Sequence, residues 1–116
     1  MNNIPGLTVQ RTFLLEELMA QLIGTLDIDP STNCLVVRTP DRLFDVAWPL
    51  GSTVDIRDNK LALLDATGQT IAHVGDEISV GGGFIPTSTA GVVSCTGQDH
   101  VFMGHHPQRF EEVPDD

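Results

Sequence analysis

Between residues 19 and 103, apolar positions recur in short runs, many of them alternating with polar or small residues, and turn-forming residues interrupt these runs at close spacing. Successive side chains of a strand point to opposite faces, so the pattern predicts strands buried on one face. Leu22, Gly24, Leu26 and Ile28 share one such face, as do Phe44, Val46 and Trp48, and as do Ile78 and Val80; these form the predicted core. Asp29-Pro30-Ser31-Thr32-Asn33 separates the first run from Cys34–Arg38, and Thr39-Pro40-Asp41 separates that strand from Leu43–Trp48, giving two successive hairpins. Asp65-Ala66-Thr67-Gly68, between Leu61–Leu64 and Thr70–Val74, predicts a third. Thr96-Gly97-Gln98-Asp99, between Val92–Cys95 and His100–Met103, predicts a fourth. Gly75-Asp76 marks a change of direction before Glu77–Val80, which runs into Gly81-Gly82-Gly83.

Leu14, Leu18 and Leu22 also repeat at helical spacing behind a candidate N-cap, Thr12. Gly24, Thr25 and the alternation beyond them oppose a long helix, so the expectation is a short helical or irregular start that becomes a strand by about Met19. Six to eight short strands suit an all-β fold, a small, partly open antiparallel barrel like the oligonucleotide/oligosaccharide-binding fold. Residues 1–10 and the acidic, proline-bearing residues 107–116 read as tails, and residues 11–106 as the barrel domain.

Composition narrows the function classes. The chain has 116 residues, 41% of them hydrophobic, enough for one core and too few for two. Its most apolar window, Phe13–Ile23, is broken by Glu16, Glu17 and Gln21, which excludes a spanning helix. Sixteen acidic against six basic residues give a net charge of −10, which repels phosphate backbones and anionic lipid, so nucleic acid is disfavoured as a partner. Residues 1–10 show no secretory leader, so the chain as written reads as cytoplasmic; a missing leader would make it secreted or part of the cell envelope.

Few residues invite chemistry. Cys34 and Cys95 fit neither a redox pair nor a zinc spacing. Paired, they would stabilise the fold by roughly 4 kcal/mol; in a reducing cytosol they would be small buried apolar residues, and spacing leaves the choice open. His105-His106 could grip a metal only if the backbone turned there, because neighbours in a strand point to opposite faces; the plain reading is a solvated strand end. Cys95, Asp99 and His100 crowd one tight turn and read as a hairpin around a buried cysteine rather than a nucleophile with its base. The triple glycine lacks the Lys-Ser or Lys-Thr of a phosphate-binding loop and reads as a bend or bulge. No catalytic set, cofactor or metal site is therefore expected.

Cys34-Leu35-Val36, Trp48-Pro49-Leu50-Gly51, Val74-Gly75-Asp76-Glu77-Ile78 leading to Gly81-Gly82-Gly83-Phe84, and Cys95 ahead of Val101-Phe102 together resemble small β-barrel proteins of actinobacteria, many of them secreted or lipid-anchored. The resemblance covers about residues 20–104 and implies a small barrel with paired cysteines.

Two functions follow as expectations. One is a non-enzymatic binding module for a protein partner, with Trp48, Gly82, Gly83, Phe84 and Ile85 as the contact set. On this reading Gly81–Thr89 is a long loop whose apolar tip, Phe84-Ile85, is solvent-exposed beside the Trp48-Pro49 turn. Trp48 itself reads either as core or as the rim of that site. The alternative is an acidic inhibitor that mimics nucleic acid and occupies a basic groove on another protein.

Overall fold

Short polar turns and β-branched runs shape the described residues into ten strands and one helical turn. The computed structural model describes residues 4–11 and 20–110. In chain order the elements are β1 (Thr8–Val9), β2 (Ala20–Asp29), β3 (Cys34–Arg38), β4 (Leu43–Phe44), β5 (Val46–Trp48), β6 (Thr53–Arg57), β7 (Lys60–Leu64) and β8 (Thr70–His73). They are followed by β9 (Glu77–Pro86), α1 (Thr87–Ala90) and β10 (His100–Arg109). The fold is all-β, and its single α-helix among the described residues follows β9; the helical start weighed for residues 12–19 lies outside the described residues.

Three of the four predicted hairpins form. β2 pairs with β3, β3 with β4 and β7 with β8, all antiparallel. The β2–β3 turn closes where Asn33 takes a left-handed φ of 55°, a conformation that asparagine tolerates better than most residues. A further hairpin, β6–β7, was missed by pattern alone. Its signal is Asp58-Asn59, with φ of 54° and 66°, the two-residue left-handed turn that matches strand twist.

The fourth hairpin does not exist. Residues 92–95 form no strand, and β10 pairs instead with β9 antiparallel and β5 parallel. The physical reason is a competing set of bonds: Cys95 is joined to Cys34 with Cα atoms 6.0 Å apart, and its backbone N–H donates to the Thr8 hydroxyl. A segment held by its side chains and amides in this way has no ladder to offer β10.

Seven strands form a mixed sheet in the order β1-β5-β10-β9-β2-β3-β4, and β6-β7-β8 form a second sheet. Neither closes into a barrel. β1 and β10 both run parallel to β5, so the larger sheet is not antiparallel throughout. The stretch Leu43–Trp48, expected as one strand, divides at Asp45: β4 pairs with β3 on one flank and β5 with β10 near the other. This break draws the two flanks together and curls the sheet around its core. Leu22, Leu26, Leu35, Val37, Val46, Trp48, Ile78, Val80 and Phe102 fill the curl, and Leu63 and Ala72 of the small sheet close over them. Ala47, Val92, Val101 and Met103 form a smaller cluster on the opposite face, under Ile85 and Ala90.

The tail boundaries shift as well. β1 sits in the large sheet with Thr8 and Gln10 buried, so residues 8–10 belong to the domain rather than to a tail. β10 continues through Pro107 to Arg109, and residues 111–116 of the predicted acidic tail lie outside the described residues.

Candidate functional site

The predicted contact set separates once folded. Trp48 is fully buried in the core and cannot meet a partner; it faces inward because it shares a face with Val46 on the strand that completes the curl. Its indole N–H has no partner among the described residues. Gly82 and Gly83 lie within β9 opposite Gly104 and Met103 of β10, with Gly82 also facing Ala20 of β2, rather than in a loop. The expected loop over residues 81–89 is strand as far as Pro86 and then the single turn of α1. Phe84 and Ile85 therefore point to opposite faces. Ile85 packs half-buried on the small cluster, while Phe84 lies at the edge of the main core.

Phe84 is 46% exposed, among the largest apolar surfaces of the described chain, yet it is held firmly. Its ring meets Phe102 edge-on at 5.3 Å between centroids and Phe44 at 5.2 Å. Phe102 is its direct cross-strand partner and is fully buried, so the three rings form a row that runs from the core to the surface. The guanidinium of Arg42 lies 4.5 Å from the centroid of the Phe44 ring and 5.7 Å from that of Phe84, within range of cation–π attraction. With His100 these residues enclose a shallow hollow of about 270 Å³. Sequence reasoning identified Phe84 from its hydrophobicity but missed Arg42, Phe44 and His100, which no local spacing links to it.

A buried polar knot holds the surface next to this hollow. The Asp45 carboxyl, 1% exposed at the break between β4 and β5, accepts hydrogen bonds from the hydroxyls of Thr8 at 2.8 Å, Thr96 at 3.0 Å and Ser94. The Thr8 hydroxyl in turn accepts from the Cys95 N–H at 2.8 Å. The Ser94 hydroxyl accepts from the N–H groups of Gly97 and Gln98, which shapes the turn leading to His100. Cys95 therefore has no free thiol, and the grouping of Cys95, Asp99 and His100 is a structural turn.

No protein family, curated protein or solved structure matches this chain. The functional reading therefore rests on the geometry.

The knot supplies a direct test of how residues 94–98 are positioned. Asp45→Ala would leave three buried or half-buried hydroxyls without their acceptor, and an abandoned buried donor costs about 1–3 kcal/mol. The expected loss of stability is about 3 kcal/mol, read as a lower urea midpoint with an unchanged slope. Hydrogen exchange should speed up first at the amides of Cys95, Gly97 and Gln98.

Proposed function

We propose that this protein is a non-enzymatic binding module that captures a protein partner through the Phe44–Phe84–Arg42 surface. The observation that carries this reading is the Phe84 ring, half exposed yet fixed between two other rings and a guanidinium. A preorganised aromatic of this kind gives up little side-chain freedom on binding, which is why aromatic and arginine anchors dominate protein interfaces. Export to an oxidising compartment is part of the proposal; the Cys34–Cys95 bridge supports it, because such bridges persist where thiols are not kept reduced. The reading of the chain as an acidic mimic rests on net charge alone, and Asp27, Asp55 and Asp76 each face an arginine.

A photoreactive benzophenone side chain placed at residue 84 should give a discrete protein adduct in native material. The same group at Ile56, 42% exposed on the small sheet, should give none. Equal labelling at both positions, or none at 84, would reject the proposal. Once the partner is in hand, Phe84→Ala should weaken its binding by more than about 1 kcal/mol. It should lower folding stability by about 1 kcal/mol through the lost ring contacts.

A further inference from the structure

A second hollow, unconnected with the Phe84 surface, lies where the two sheets meet. It has a volume of about 460 Å³, within the range of small-molecule sites. The Pro49–Ser52 turn forms one wall, Asp65, Ala66 and Ile71 of the small sheet another, and Gln10 with His105, His106 and Pro107 the third.

The histidine wall is built against the grain of the strand. Neighbouring residues of a strand point to opposite faces, yet both histidines line this cleft, where the β9–β10 register shifts between His105 and Gln108 and His106 adopts a left-handed φ of 50°. Their rings then meet edge-to-face at 5.2 Å. Left-handed backbone at a non-glycine residue is uncommon and strained, and such strain gathers at functional sites. His105 lies over Gly81, where a Cβ would come within 2.8 Å of the imidazole, so any larger residue there would push that ring aside.

Beside the two imidazoles, Gln10 and Asp65 bring acceptor oxygens to the residues that line the cleft. Gln10, only 3% exposed, gives its amide nitrogen to the carbonyls of Ala47 at 2.8 Å and Gly104 at 2.6 Å, so what this lining residue has left to offer a ligand is its carbonyl oxygen. One oxygen of Asp65 caps its own turn, accepting from the Thr67 hydroxyl at 2.6 Å and from the N–H groups of Thr67 and Gln69. The Thr67 hydroxyl foremost, helped by the turn amides, holds the Asp65 carboxyl below the usual carboxylate range, so it is charged at neutral pH. Leu50, Pro49, Ile71 and Pro107 supply an apolar floor. An anion would meet Asp65 and a chain of net charge −10. A metal ion lacks ligands, because among the described residues no three His, Cys, Asp or Glu side chains are grouped to hold one.

We propose that this inter-sheet cleft binds a small organic cation with a flat apolar body, its charged nitrogen on Asp65 and Gln10 and its flat face against His105 and His106. Benzamidine is a suitable probe, with neutral benzamide and anionic benzoate as controls of the same shape, titrated into the full chain and followed through the imidazole resonances. Benzamidine should shift His105 and His106 saturably at millimolar concentration, with benzamide about fivefold weaker and benzoate silent. Asp65→Asn keeps the turn-capping acceptor while removing the charge, and should lower benzamidine affinity by about fivefold with little change in melting temperature. His106→Gly removes both the ring and the left-handed strain. It should melt a few degrees higher and lose most of the benzamidine response at His105. Equal binding of benzoate or benzamide would overturn the proposal, as would unchanged affinity in His106→Gly. Photolabelling at residue 84 does not bear on this cleft, so the two proposals stand or fall separately.

Discussion

Gly82→Ala is expected to prevent stable folding, with a loss of more than about 4 kcal/mol measured by chemical denaturation, or no cooperative transition at all. A Cβ at residue 82 would lie 1.9 Å from the Met103 carbonyl oxygen and 2.9 Å from a ring carbon of Phe102. Backbone cannot yield as a flexible side-chain end can, so relief requires parting β9 from β10, the most extensive pairing in the large sheet. The φ of 151° at this residue is also one that essentially only glycine adopts. Were the triple glycine the flexible loop that the sequence pattern predicts, the same substitution would be nearly neutral. Gly97→Ala is the control: it stands at φ 78° with open space around its missing Cβ, so it meets backbone strain but no clash. It should cost about 1 kcal/mol.

Removing the bridge with Cys34→Ala and Cys95→Ala is expected to cost about 4 kcal/mol, a drop of roughly 15 °C in melting temperature for a chain of this size. The two cysteines are 61 positions apart, so the bridge removes a large loop from the freedom of the unfolded chain. Reductant should produce a similar drop in the native protein and none in the double variant. The bridge also anchors the stretch that meets Asp45 through Ser94 and Thr96, and Gly6 close behind it pairs with Cys34. The double variant should therefore loosen residues 94–98 and the Gly6–Val9 segment together, visible as faster hydrogen exchange in both. A drop under about 1 kcal/mol would show that the surrounding hydrogen bonds suffice without the bridge.

Much of the local architecture was legible in the residues. The runs around Leu22–Ile28, Val46–Trp48 and Ile78–Val80 turned their predicted faces to the core, and three proline-, asparagine- or glycine-bearing turns became hairpins between neighbouring strands. Exposure of Phe84 was legible too, though for the wrong reason: it is exposed at the edge of the core on a strand, not at the tip of a loop. The Asp45 knot carried no readable signal, and the His105-His106 pair stood out in the sequence without any sign that the backbone turns there. Each depends on partners tens of residues away, such as Thr8 for Asp45 across 37 positions and the carbonyl of Gly104 for Gln10 across 94.

By itself the sequence determined the class of fold, the near-neighbour hairpins and the inward faces of the main strands, because period-two alternation and turn chemistry are local properties of the backbone. Only the tertiary structure decided how distant strands pair, and that choice rearranged the sites. Pairing β10 with both β9 and β5 drew the triple glycine into the middle of a sheet, and completing the curl buried Trp48. Folding also brought Cys34 to Cys95 and set Arg42 over Phe44 and Phe84. At the far end of β10, a register shift turned His106 to the same cleft as His105. An alternating strand presents the same pattern to any neighbour that can cover its apolar face; the neighbour is selected by packing and hydrogen bonding across the whole domain, which no short stretch of the chain contains.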